Sequence, residues 1–434
     1  MPSARWHRPL RCPNRFGSRW ERVKSGSHDA PVDEGGDLGV GVAEVLQDLW
    51  RVLAEARDVR DRCGCPGAGD HRPGLGGSPP GCVLPEVHHM SLNRVRAEQP
   101  AFEVAASAVL IGQAHLGAGA LLAQGVVLRS RGGSAALGNH SAVLENGVLV
   151  GWPDRPVEIG QRTVFGHRAT IVGARVGDLC EIGNGAILMP GSRLGDGCIL
   201  GEGSLVPAGA IIPDDTVLVG RPPHVLRSAT EADRARLAAL RGGQVDLTRH
   251  PGTTVVAPPV AGAHMGRLYA YRDKSPRIAA SAVLFDSAEV TGDVVIGEGS
   301  IIGAGVKIIG DSHGPVRIGA RVQILENTVL HLLPDNELVV EDDVVIGPGA
   351  MIHGCHLGAG TVVEPAAIVC DSSRVGAGSV IRAGACVKQR ARFDDRAVLD
   401  GFPAVQVGSL DAAPGRPAWA FDPEDLPTPF PLAP

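Results

Sequence analysis

Three histidines stand in stretches whose residue types suit metal ligation: His167 in VFGHRAT, His331 in TVLHL and His353 in AMIHG. Aliphatic residues lead every sixth position around them, so His331 and His353 each take the second place of a six-residue unit, three units apart. If three units complete one turn of a coil, the two imidazoles stand one strand spacing apart on a single face. Two imidazoles so placed can chelate one ion at about 2.0–2.1 Å each, the usual zinc–nitrogen distance. His167 takes the third place of a unit one face away, where it misses a site on its own coil and can reach a neighbour's.

The elements that must position these side chains follow from the repeat. Leaders recur at Val104, Leu110, Leu116, Leu122 and Leu128, then at Leu137, Val143 and Leu149, then at Ile159, Phe165 and Ile171, and after a five-residue step from Val176 to Leu218. The pattern restarts at Ile278 and runs to Leu399, with the same five-residue step between Ile352 and Leu357. Six is neither a helical nor a hairpin period. It is the period of a left-handed parallel β-helix, in which each hexad makes one side of a triangular coil, the leader points inward, and Gly or Asp tolerates the corner. Stacked coils pair in parallel at roughly 4.8 Å, each covering the edge of the one below. Stability then sums over nearest neighbours along the stack. The expected fold is all-β: two tandem left-handed parallel β-helices, each with a peripheral C-terminal segment that is helical in the first copy.

Residues 1–89 are rich in Arg, Gly and Pro and carry no repeat, so they read as an extension. They hold one amphipathic stripe over 42–59, and Cys63, Cys65 and Cys82 lack a partner pair at finger spacing. Met90, just before SLNRVRAEQPAFEV, makes a sensible translation start. The first β-helix domain is expected over 100–245, a linker over 246–274, the second β-helix over 275–410 and a Pro-rich tail over 411–434. A helix over 228–243 has a Ser or Thr cap, an acidic first turn, Arg in the last turn and a Gly242–Gly243 stop, and should pack back along the first prism.

Composition agrees with this. Among 434 residues there are 59 Gly and 33 Pro but only 8 Phe, 5 Trp and 2 Tyr, which suits turns and short aliphatic strands. The net charge of -6 is spread along the chain, arguing against a nucleic-acid face or a polybasic membrane anchor and for a small-molecule substrate. Residues 109–128 carry no charge and match a membrane span in length, but Gly, Gln and His interrupt them and the six-residue period explains them. Arg5, Arg8, Arg11 and Arg15 precede no apolar core of signal-peptide length. Nine Cys is an odd number, and Cys180, Cys198, Cys355, Cys370 and Cys386 fall inside the repeats at unrelated spacings, which suits reduced thiols and a cytoplasmic protein.

At an offset of 181, VLENGVLVG...IGQRTVFGHRATIVGARVG (143–177) lies over ILENTVLHL...VEDDVVIGPGAMIHGCHLG (324–358). Here the chain resembles the γ-class carbonic anhydrases, in which a strand ending in VLH and a segment of the type VGHxxxxHG supply three metal-binding histidines. Carried over by position, the first ligand is Val150 or His331, the second His167 or Pro348, and the third Val172 or His353. Neither copy is complete, yet each column keeps one His. In that family the first and third ligands come from one subunit and the second from an adjacent one in a trimer. The resemblance therefore implies one zinc site, with iron or cobalt as alternatives, built by His331 and His353 of a second domain and His167 of a first. It also implies a homo-oligomer with trimer-like rings of domains.

The family's subunit-bridging Arg-x-Asp pair divides as well: Arg129 is followed by Arg131 in place of the acid, and Asp311 is preceded by Ile309 in place of the Arg. The implied chemistry is zinc-assisted attack of water on CO2 or a related small electrophile. The Gln that orients water in the family is Leu144 or Leu325 here, and the acid after it is Glu145 or Glu326, of which Glu326 is the expected catalytic carboxylate. A metal-free assembly module, a CoA-thioester hydrolase and a hexapeptide acyltransferase stay open as alternatives. The last needs a protruding loop with a catalytic His, and the loops at 130–136, 311–317 and 332–337 are short, with His313 the one candidate. His115, His140, His313 and His356 otherwise read as solvated surface. A threefold ring cannot alternate two kinds of domain evenly, which leaves mixed rings or two homotypic rings.

Overall fold

The computed structural model describes residues 102–240, 254–256, 266–311, 313–422 and 426. The stripe over 42–59, Met90 and the cysteines before it lie outside these residues. The aliphatic leaders do what the period predicts. Leu116, Leu122, Leu128, Leu149, Phe165 and Ile171 close one buried core, and Ile302, Ile308, Ile324, Leu330, Ile346 and Ile352 close another. Each core is wrapped by three parallel sheets, so the chain forms two tandem parallel β-helices. Residues 109–128 supply four successive strands, and no described helix is long and apolar enough to cross a membrane.

The three faces of the first prism are named here by one strand each: A contains Val164–Phe165, B contains Thr170–Val172 and C contains Arg175–Val176. Their counterparts in the second prism are A′ with Val345–Ile346, B′ with Met351–His353 and C′ with His356–Leu357. Face C gains an antiparallel edge strand, Thr254–Val256, from the stretch read as linker. Face B′ begins at Arg267–Tyr269, also within that stretch, because backbone pairing with Glu289–Gly292 needs no hexad leader.

Helix α1 is described over Glu231–Leu240, starting three residues after the expected 228, and residues 241–243 of the expected helix lie outside the described residues. Thr230 caps it: the Asp233 N–H donates to Thr230 Oγ1 at 3.2 Å and the Thr230 N–H donates to the Asp233 carboxylate at 2.7 Å, the reciprocal pair of a capping box. Leu237 is buried and Arg236 pairs with Glu181 at 3.0 Å, so the helix lies back on face A as expected. Thr230→Ala should cost about 1 kcal/mol, read as a lower urea midpoint with an unchanged slope.

The two prisms pack against each other through B and A′. Val127, Val148, Val150 and Val172 on B meet Ile301, Leu325, Val345 and Val362 on the A′ side. The corners interlock, with Asn327 Nδ2 donating to the carbonyls of Gly125 at 2.9 Å and Asn146 at 3.2 Å. Farther along, Arg221 Nη1 donates to the Gly384 carbonyl at 2.8 Å. Part of the stretch read as a Pro-rich tail closes the outer side of this contact. Trp419 and Phe421 are buried, Phe421 stacks on Phe285 at 5.2 Å, and its backbone exchanges two hydrogen bonds with the Gln323 amide. These aromatics sit on no hexad, which is why the period does not announce them.

Candidate metal centre on the second prism

Parallel pairing sets His331 directly opposite His353 on B′, as the unit count requires. Their nitrogens, His331 Nδ1 and His353 Nε2, are 3.1 Å apart and the rings meet edge to face at 5.1 Å. Two ligands at about 2.05 Å on a tetrahedral ion stand roughly 3.3 Å apart, so an ion between these nitrogens needs little movement. The side chains are 27% and 25% exposed, open enough for an ion to enter.

Asp371 stands behind His353. It takes the Nδ1 proton in a short hydrogen bond and is held in turn by the Leu333 N–H at 3.0 Å and Asn336 Nδ2 at 3.1 Å. That fixes the His353 tautomer with Nε2 as the free ligand atom, the usual carboxylate support of a metal-binding histidine. Gly354 makes the approach possible: at φ +40°, a Cβ there would overlap Asn336 Nδ2 and Asp371 Oδ1. Asp371 was missed in the sequence: the five-residue step shortens this coil, Ile352 pairs with Val369, and Asp371 falls two places beyond the end of that strand and not opposite His353.

Burial and the neighbouring His353 hold the His331 imidazole below its ordinary pKa, hence neutral and able to ligate at pH 7. At Asp371 burial pushes upward, but the bonds from Leu333, His353 and Asn336 outweigh it and the carboxyl titrates below its usual range. Its contribution to stability is therefore complete above the ordinary carboxylate pKa of about 3.9 and is lost as pH falls through the lowered folded value. Asp371→Asn should lower the urea midpoint at pH 7 and shrink the gap between midpoints measured at pH 7 and pH 2.

Two further groups border His331. Asp311 Oδ2 lies 3.8 Å from His331 Nε2, and the His313 ring stacks obliquely at 5.2 Å. Ligand atoms of Asp311, His313 and His331 all fall within 4.8 Å of one another. His313 is thus part of a cluster and not simply solvated, because the loop after Gly310 folds back over the face. His356 is likewise engaged, 2.6 Å from Glu341.

The other expected residues stand elsewhere. His167 is at the edge of face A, 54% exposed, with Nδ1 2.7 Å from Glu145. Among the described residues the buried contact between the prisms is made chiefly by B and A′, and His167 falls in no ligand cluster with His331 or His353. Arg129 does bridge the prisms, but to Glu326 at 2.5 Å and not to Asp311. Glu326 is fully buried in that contact and paired with Arg129. Asp311 and Asp371 are the carboxylates that border the histidine pair. The ligand columns divide accordingly: Val150 and Val172 lie in the closed B–A′ contact and Pro348 is buried, whereas His331 and His353 stand on B′ and His167 at the edge of A, outside that contact.

Comparison with known proteins places this geometry. The family model described as hexapeptide repeat of succinyl-transferase matches residues 156–190. The carbonic anhydrase of Geobacillus kaustophilus is 39% identical over 111 residues, 26% of this chain and 60% of that protein, so the chain spans less than two thirds of that relative. Carnitine operon protein CaiE of Escherichia coli is 31% identical over 142 residues, 33% of this chain and 72% of the relative. Gamma carbonic anhydrase 2, mitochondrial, of Arabidopsis thaliana is 33% identical over 138 residues, 30% of this chain and 49% of that protein. Among solved structures, a hexapeptide transferase family protein from Anaplasma phagocytophilum shares 28% identity, covering 33% of this chain and 84% of its own, with a TM-score of 0.32. The chain belongs to the γ-carbonic-anhydrase-like hexapeptide-repeat family, with two tandem copies of the repeat domain in one polypeptide.

Proposed function

We propose that face B′ holds a zinc ion between His331 and His353, that His167 from face A of a neighbouring chain completes the site, and that the assembly activates water against CO2 or a related small electrophile. The observation that carries this is the His331–His353 pair at 3.1 Å with Asp371 locked behind it. Zinc on three neutral imidazoles keeps a fourth position open and lowers the pKa of water to near 7, behaviour known from carbonic anhydrase. Asp371 orients His353, burial keeps His331 neutral, and Asp311 is the nearest carboxylate able to accept a proton beside His331.

The ligand columns support a second copy as the neighbour. B′ lacks one imidazole and A supplies one, so a contact between them joins unlike faces and is heterologous. Homotypic rings of first prisms conflict with this packing, since B is already covered by the chain's own second prism. The carbonic anhydrase relatives favour hydration of CO2, while Leu144 and Leu325 in the water-orienting column favour a changed electrophile.

Zinc-dependent association tests the reading. Sedimentation of the full chain should shift to larger species with zinc and return with chelator, and His167→Ala and His353→Ala should each abolish the shift. Stopped-flow hydration of CO2 and hydrolysis of a model thioester then separate the substrates. A His167→Ala chain that associates with zinc as the parent does would sink the shared site.

A further inference from the structure

We infer that the second prism carries another ion position, complete within one chain, in which His331 Nε2, His313 Nε2 and the Asp311 carboxylate bind a divalent transition ion of the zinc class. It rests on the other ring nitrogen of His331, so it is an alternative to the site proposed above and not filled together with it, and it needs no neighbouring chain.

The hydrogen bonds assign the ring nitrogens. Asp371 accepts the His353 Nδ1 proton, so His353 Nε2 is an acceptor and His331 Nδ1 must be the donor across their 3.1 Å contact. A neutral imidazole has one N–H, so His331 Nε2 is left with its lone pair, directed toward Asp311 Oδ2 at 3.8 Å. His313 Nδ1 lies 3.1 Å from the Leu332 carbonyl, which can only accept, so this nitrogen carries the proton and Nε2 is again free. Asp311 is steered by the His313 N–H, which donates to Oδ1 at 3.0 Å. Two unprotonated imidazole nitrogens and a carboxylate thus converge from one strand end and the loop that precedes it. One ligand atom each of Asp311, His313 and His331 lies within 4.8 Å of the others, with His313 Nδ1 3.6 Å from Asp311 Oδ1, and a turn of the part-exposed His313 ring brings Nε2 to an ion there.

The first prism provides an internal control. Its column for His331 is Val150, and its loop over residues 130–135 reads SRGGSA, without a histidine or an acid. The cluster is therefore a property of the second copy alone and not of the coil. Both imidazoles have their backs fixed, His331 through His353 and His313 through a backbone carbonyl, which is the support metal-binding histidines require.

The experiment uses the full chain carrying His167→Ala, in which the position shared between chains is disabled. Zinc titrated against a chromophoric chelator should show one ion per chain, and adding His313→Ala or Asp311→Asn should weaken it at least 10-fold. Cobalt in place of zinc should show visible bands that each addition alters. The proposal is overturned if the His167→Ala chain binds no zinc, or if its affinity is unmoved by both additions. Failure of the shared site is read separately, as zinc-dependent association that survives His167→Ala.

Discussion

His331→Ala is expected to abolish zinc binding by the chain, with affinity falling at least 100-fold and by more than in His353→Ala or His313→Ala. His331 is the one side chain that faces both partners: Nδ1 lies 3.1 Å from His353 and Nε2 lies 3.8 Å from Asp311. Removing it leaves one imidazole on either side, too few for a tight zinc site. Removing only a supporting group such as Asp371 should cost the 10–100-fold typical of such partners. The fold should be indifferent, because His331 points outward while Leu330 beside it fills the core. Chelator competition with circular dichroism on the same samples checks both parts. Parental affinity in His331→Ala would remove the metal from this face altogether.

The second large effect concerns the contact between the prisms. Arg129→Ala should destabilise the chain by about 3–5 kcal/mol, since it leaves the Glu326 carboxylate buried without its cation. The loss is compounded by other bonds of the same guanidinium, which donates to the Trp419 carbonyl at 2.6 Å and lies 4.4 Å from the Phe421 ring centroid. Glu326 Oε2 already has no hydrogen-bond partner among the described residues, so nothing nearby compensates. Replacing the pair together, Arg129→Met with Glu326→Gln, removes both charges and should recover most of the loss. Urea denaturation of the two single variants and the double variant gives the coupling directly. Equal destabilisation by the double variant and Arg129→Ala would mean that the charge pair is not what holds Glu326 in place.

Much of this protein was legible in its residues because hexads are local. A leader every sixth position fixes which side chains enter the core and, through the parallel register, sets His331 opposite His353. The same count passes over Asp371, because the five-residue step after Ile352 pairs that residue with Val369 and leaves Asp371 beyond the strand. A loop has no such period, and so His313, read as surface, turns out to sit against His331 because the backbone folds back after Gly310. The aromatic wedge at Trp419 and Phe421 was hidden for the same reason.

Which faces meet is a tertiary matter. Hexads are nearly alike on all three sides of a prism, so they do not say that B would be covered by A′. That choice buries Glu326 against Arg129 and puts valines in two ligand columns of the closed contact. It leaves every surviving ligand histidine outside that contact.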